Sequence, residues 1–156
     1  MAVIAEALLW LFVVISGIAV GAGLYEMRVN LPRWFTVERG TVIRVNLDAI
    51  RSDDSGRRFW ALVTTGPLTL LTLAGFVAAW PPDTIRRQWW FAAAGMMFVE
   101  RIATFGFFIP QLLKLLREDD MQRATRVART WMRLNYARAA LAFAAWMTAI
   151  RALTTL

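Results

Sequence analysis

Trp89-Trp-Phe-Ala-Ala-Ala-Gly-Met-Met-Phe-Val-Glu-Arg-Ile-Ala-Thr-Phe-Gly-Phe-Phe-Ile-Pro110 is the stretch that decides the fold. It is long and apolar enough to cross a bilayer as a helix, yet it carries Glu100-Arg101 at its centre. Charges at such depth are costly unless paired or hydrated. Successive helical residues point about 100° apart. Glu100 and Arg101 are therefore expected to seek separate partners, with Arg101 directed toward Glu6 or water.

Three further runs look the same. Residues 3–25, 59–80 and 132–153 join 89–113 as expected spanning helices. The first starts without a basic segment and continues into Tyr25-Glu26 without a small-residue cleavage site, which reads as a retained helix and not a signal peptide. The second stops at Pro81-Pro82. The expected fold class is all-α, an integral membrane four-helix bundle formed by one transmembrane domain, residues 1–156.

Basic residues orient it. Seven Arg (28, 33, 39, 44, 51, 57 and 58) lie between the first two runs, and Lys114 with Arg117, 123, 126, 129 and 133 lies between the last two. Only Arg86, Arg87 and Arg151 fall on the other side. Thirteen against three places both larger connections in the cytoplasm and both termini on the non-cytoplasmic side. The expected location is the cell inner membrane, multi-pass, with membrane lipids as partners. Trp10, Trp80, Trp89, Trp90 and Trp131 fall near helix ends, as interfacial Trp does.

The cytoplasmic connection, 29–58, is too long for an idle turn. Ile43, Val45 and Leu47 alternate with Arg44, Asn46 and Asp48 as in a strand, while Val42, Val45 and Ala49 equally suit a short surface helix. Either form caps the cytoplasmic end of the bundle. Asp53-Asp54-Ser55-Gly56 closes the connection as a turn.

Composition narrows the chemistry. The chain is 58% hydrophobic, so the +7 charge reads as membrane topology, and nucleic acid is not an expected partner. With no Cys and no His there is no disulfide, zinc site or imidazole catalyst. The carboxylates are too scattered to spell a metal site. No metal and no dedicated cofactor are expected, beyond a bound quinone or another lipophilic aromatic.

Two helical faces carry the candidate site. Glu100, Thr104, Phe107 or Phe108, and Gln111 follow at four-, seven- and eleven-residue offsets, and Trp131, Asn135, Arg138, Ala142 and Trp146 share a face of the last run. Arg138 lies about 7 Å to the cytoplasmic side of the midplane and its stem reaches toward Glu100 or Gln111. Glu26 approaches the same Arg from the first helix. Glu100, Arg138 and Asn135 form the expected catalytic group, with Tyr25, Glu26, Trp34, Phe108, Gln111 and Trp131 lining the substrate site. The plainer alternative is an ion pair that only fastens two helices. Gly17-Ile-Ala-Val-Gly21 reads as a close-packing face. Thr64, Thr65, Thr69 and Thr72, around Gly66-Pro67, read as satisfying a kinked backbone.

Several short motifs occur in order. They are Gly21-Ala-Gly-Leu-Tyr25-Glu26, Val29-Asn-Leu-Pro32-Arg-Trp34, Gly56-Arg-Arg-Phe-Trp60, Phe108-Ile-Pro110 and Trp131-Met-Arg-Leu-Asn135-Tyr-Ala-Arg138. Together they resemble small four-helix bacterial membrane proteins of the anthrone oxygenase-like superfamily. The resemblance covers nearly the whole chain. It implies oxidation of an anthrone to an anthraquinone by O₂ without a dedicated organic cofactor, a cofactor-independent monooxygenase. Some members use His, which this chain lacks.

Two functions compete. One is an oxidoreductase acting on a lipophilic aromatic or quinone-like compound. The other is a non-catalytic accessory subunit that shields a hydrophobic cofactor, as a homo-oligomer or within a larger membrane complex. A transporter fits less well, because the runs show no inverted repeat.

Overall fold

Three prolines decide where the long helices change pitch. In the computed structural model, which describes residues 2–118 and 120–155, the chain begins with α1 (Ala2–Tyr25), a π-helical turn (Glu26–Asn30) and α2 (Leu31–Trp34), all one rod. A hairpin of β1 (Phe35–Glu38) and β2 (Thr41–Val45) follows, then α3 (Leu47–Ser52) and α4 (Asp54–Phe59). A second π-helical turn (Trp60–Thr65) leads into α5 (Gly66–Ala78). The helix α6 (Ile85–Ala103) passes through a third (Thr104–Phe108) into α7 (Ile109–Arg117), and α8 (Met121–Thr154) completes the chain.

Each π-helical turn ends two residues before a proline: Asn30 before Pro32, Thr65 before Pro67, Phe108 before Pro110. Proline has no N–H to donate and its ring pushes against the carbonyl four residues back. The turn ahead of it widens to i→i+5 bonding. Accordingly the amides of Leu31, Gly66 and Ile109 donate to Glu26, Ala61 and Thr104, each five residues earlier.

Three helices are long and apolar enough to cross a membrane: Val3–Trp34, Trp60–Ala78 and Ile85–Arg117. The fourth expected run lies within α8, a single helix of 34 residues whose first half is rich in Arg. At 1.5 Å per residue it extends for about 51 Å.

α1 packs on α5 and α8, and α6 packs on the same two. Leu9, Phe12, Ser16 and Ala19 recur at three- or four-residue spacing and are buried on one face of α1. Ala93 and Met97 of α6 meet Ala145 and Ala149 of α8 in the core, where small side chains allow close approach. Two glycines seat indoles. A Cβ at Gly17 would stand 3.1 Å from Trp146 Nε1, and one at Gly75 3.1 Å from Trp90 Nε1. Gly21, expected to share the packing face, has nothing within 4 Å of its Cβ position.

The connection 29–58 departs from an all-helical fold. The strand form occurs over Thr41–Val45, so Val42 and Val45 do not mark a helix; a separate short helix, α3, follows, where Asn46 Oδ1 accepts from Ala49 N at 3.0 Å. The two-residue turn Arg39-Gly40 has positive φ at both positions, 48° and 75°, the geometry whose twist matches paired strands. Phe35, Val42 and Val45 turn inward onto α8 and α7, beside Leu115, Ala124 and Ala128. Arg129 Nε of α8 donates to the Val42 carbonyl at 2.7 Å. The hairpin thus covers one end of the helices. Asp53 Oδ1 accepts from Gly56 N at 3.0 Å, so the expected turn also starts α4. The side chains of Ile43, Asp54, Ser55 and Arg57 lie outside the described residues.

Two tryptophans expected at an interface are core residues. Trp90 and Trp131 are buried, whereas Trp10, Trp80 and Trp89 are exposed. Three of the four threonines bond to the backbone as expected: Thr64, Thr69 and Thr72 donate to the carbonyls of Trp60, Thr65 and Leu68, whereas Thr65 lines a cavity.

Candidate functional site

Helical spacing builds the site from one side. Glu100 and Thr104 stand four residues apart, and four residues of α-helix overshoot a full turn by about 40°. The wider π-helical turn after Thr104 reduces that overshoot, so Phe108 remains beneath Thr104. Thr104 Oγ1 donates to Glu100 Oε1 at 2.9 Å. From α8, Arg138 Nη1 donates to Thr104 Oγ1 at 3.5 Å and lies 3.9 Å from Glu100 Oε1. Its guanidinium carbon sits 4.6 Å from the Phe108 ring centre, a cation–π contact.

Arg101 is the first correction. It does not seek Glu6 or water; it folds back and pairs with Glu100 Oε2 through Nε and Nη2. Glu6 pairs with Arg86 instead. Neighbouring Cβ atoms diverge on a helix, but an arginine stem is long and flexible enough to curl round it. Leaving two buried charges apart costs far more than that bend.

The first helix brings a second acid. Glu26 opens the first π-helical turn, is 5% exposed, faces Trp60 and lies within electrostatic reach of Arg138 and Asp53. Two carboxylates and two guanidinium groups (Glu26, Glu100, Arg101, Arg138) therefore share one interior region. Their charges balance.

Beside this cluster is a cavity of about 280 Å³. All three π-helical turns contribute to its wall, through Glu26, Trp60 and Phe108. Trp34 and Trp131 add flat faces, and Arg101 and Arg138 add charge. Phe108 and Trp131 meet edge to face at 5.8 Å, and Trp131 Nε1 donates to the Phe108 carbonyl at 3.4 Å. Glu26, Trp34 and Trp60 also border a more polar groove between the end of the first rod and α3 and α4.

The expected residues are not all in one place. Glu26, Trp34, Phe108, Trp131 and Arg138 line the cavity. Glu100 stands behind Arg101, and Asn135 opens onto a different cavity. Tyr25 is exposed and borders only the polar groove among these spaces. Gln111 is half-buried and lines none of them. Trp60 and Arg101 were not among the expected ligand-contacting residues. Trp60 had a usable signal in its place seven residues before Pro67.

Among the described residues, no group of three His, Cys, Asp or Glu side chains converges to hold a metal ion. No family model, curated protein or solved structure matches the chain.

Proposed function

We propose that the chain is a multi-pass protein of the cell inner membrane, a four-helix bundle with both termini on the non-cytoplasmic side. Its cavity takes a flat, lipophilic, weakly acidic compound of the anthrone or quinone-like class. O₂ oxidises that compound there without a dedicated organic cofactor, as the resemblance to the anthrone oxygenase-like superfamily implies. One observation carries the reading: an aromatic-walled cavity is lined by both a buried carboxylate, Glu26, and a half-buried guanidinium, Arg138.

The roles follow from what each group already touches. Glu100 is engaged by Arg101 and Thr104, so its work is to hold the guanidinium groups in place. Glu26 faces the cavity and takes the substrate's C–H proton. The electron pair stays on the substrate as an enolate, whose oxygen Arg138 stabilises. Dioxygen takes up that pair by bonding to the carbon, and the peroxide formed recovers the proton from Glu26. Loss of the same carbon's second C–H proton then breaks the O–O bond and leaves the new C=O, and the departing hydroxide takes that proton to leave as water. Phe108, Trp131 and Trp34 hold the plane of the ring. The space beside the ion pair favours ligand binding over an accessory subunit that merely packs.

The test is anthrone oxidation by purified protein in lipid nanodiscs, followed by O₂ uptake and anthraquinone absorbance. Glu26→Gln is expected to lower kcat by roughly 100-fold or more, the contribution of a positioned base. Trp131→Leu is expected to raise KM. Wild-type protein no faster than empty nanodiscs, or a folded Glu26→Gln variant with unchanged kcat, would refute it.

A further inference from the structure

The Glu100–Arg101–Arg138 cluster has a second face. Behind it, away from Phe108 and Trp131, α1, α5, α6 and α8 surround another cavity, of about 300 Å³. Leu68 and Met97 form its fully buried wall. Leu24, Tyr136 and Phe143 flank it and are themselves exposed, so its mouth opens on the outer surface between α1 and α8.

Asn135 belongs to this cavity. It is 2% exposed, and its Oδ1 has no hydrogen-bond partner among the described residues. Buried polar atoms are nearly always met by a donor or acceptor, from protein, water or ligand. Glu100 is paired with Arg101 and bonded by Thr104, and the Arg138 guanidinium lies over the Phe108 ring, toward the first cavity. A neutral O–H donor matches what Asn135 Oδ1 lacks. An apolar cavity of about half this volume holds a benzene molecule, so a ring with a short chain fits.

We infer that this cavity binds a neutral, hydroxyl-bearing lipophile of the alkylphenol or long-chain alcohol class. Its O–H donates to Asn135 Oδ1, and its body lies along Leu68, Met97 and Phe143. The site stands apart from the oxidation described above, since nothing in it transfers a proton or an electron.

A photoreactive diazirine alkylphenol and its O-methyl ether test this in protein held in lipid nanodiscs, with cross-linked peptides located by mass spectrometry. The phenol is expected to label residues 19–27 and 136–143 about fivefold more than the ether, the worth of one net hydrogen bond. Asn135→Leu, a swap of similar size that leaves no polar atom unpaired, brings the two to parity. Ala139→Leu fills the cavity and lowers both, while Leu112→Ala, in the other cavity, changes neither. Equal labelling of the wild type overturns the proposal. So does a preference that survives Asn135→Leu, labelling that ignores Ala139→Leu, or labelling that follows Leu112→Ala. Turnover is not read, so failure of the oxidation chemistry leaves this outcome untouched.

Discussion

At the scale of single residues, Glu100 is the acid on which two cations depend, Arg101 buried and Arg138 half-buried. Arg101 pairs with it directly and Arg138 lies 3.9 Å from it. Glu100→Gln leaves Arg101 without its carboxylate and Arg138 with only Glu26 nearby. Removing one partner from a buried pair costs about 3–5 kcal/mol, and denaturant unfolding in mixed micelles should show a loss of that size. Arg138→Gln keeps the Glu100–Arg101 pair and is expected to cost less, about 1–2 kcal/mol. Equal losses would mean that Glu100 is not shared. Arg39 offers the opposite sign. Its φ of 48° is the left-handed conformation, which costs a side-chain-bearing residue about 1–2 kcal/mol. Arg39→Gly should therefore slow amide exchange in residues 35–45. Faster exchange would show that the Arg39 side chain holds the turn.

At the scale of elements, three of the four expected runs were legible as helices long enough to cross a membrane, because a long, largely apolar segment needs no periodicity to be recognised. The hairpin was not, because five residues of alternation in Thr41–Val45 fit a strand and a short helix equally. Gln111 shows a subtler failure. It was placed under Glu100 by counting α-helical offsets, but a π-helical turn intervenes at Thr104–Phe108. That turn absorbs an extra residue and rotates everything beyond it by up to about 100°. The convergence of Glu100 and Arg138 was legible because both precede or avoid that slip; the curl of Arg101 was not, because helical geometry fixes Cβ and not the end of a long stem. Pro110 is the lever. Pro110→Ala restores a donor and should let the turn rewind, with stability unchanged or raised and aromatic ligand affinity about tenfold weaker as Phe108 rotates away. Unchanged affinity would show that Pro110 does not set the cavity wall. The glycines divide likewise. Gly17→Val drives a side chain into Trp146 and is expected to cost about 1–3 kcal/mol. Gly21→Ala, facing open space, should stay within about 0.5 kcal/mol on a surface position.

At the scale of the whole molecule, the proposed orientation rests on thirteen basic residues against three. Alkaline phosphatase needs an oxidising compartment for its disulfides, so a fusion to the C-terminus should be active; an inactive, stably expressed fusion would invert the arrangement. One further consequence comes from α8, which runs without a break from Arg129, where it grips the hairpin, to Ala149 among the other rods. An uninterrupted spar of about 30 Å over those residues does not nod, so the hairpin it carries is a fixed cap. On the proposed function, guests arrive sideways from the leaflet. Uptake should then follow a compound's concentration in the bilayer, and two compounds of equal aqueous strength but different partitioning should saturate the protein at different doses.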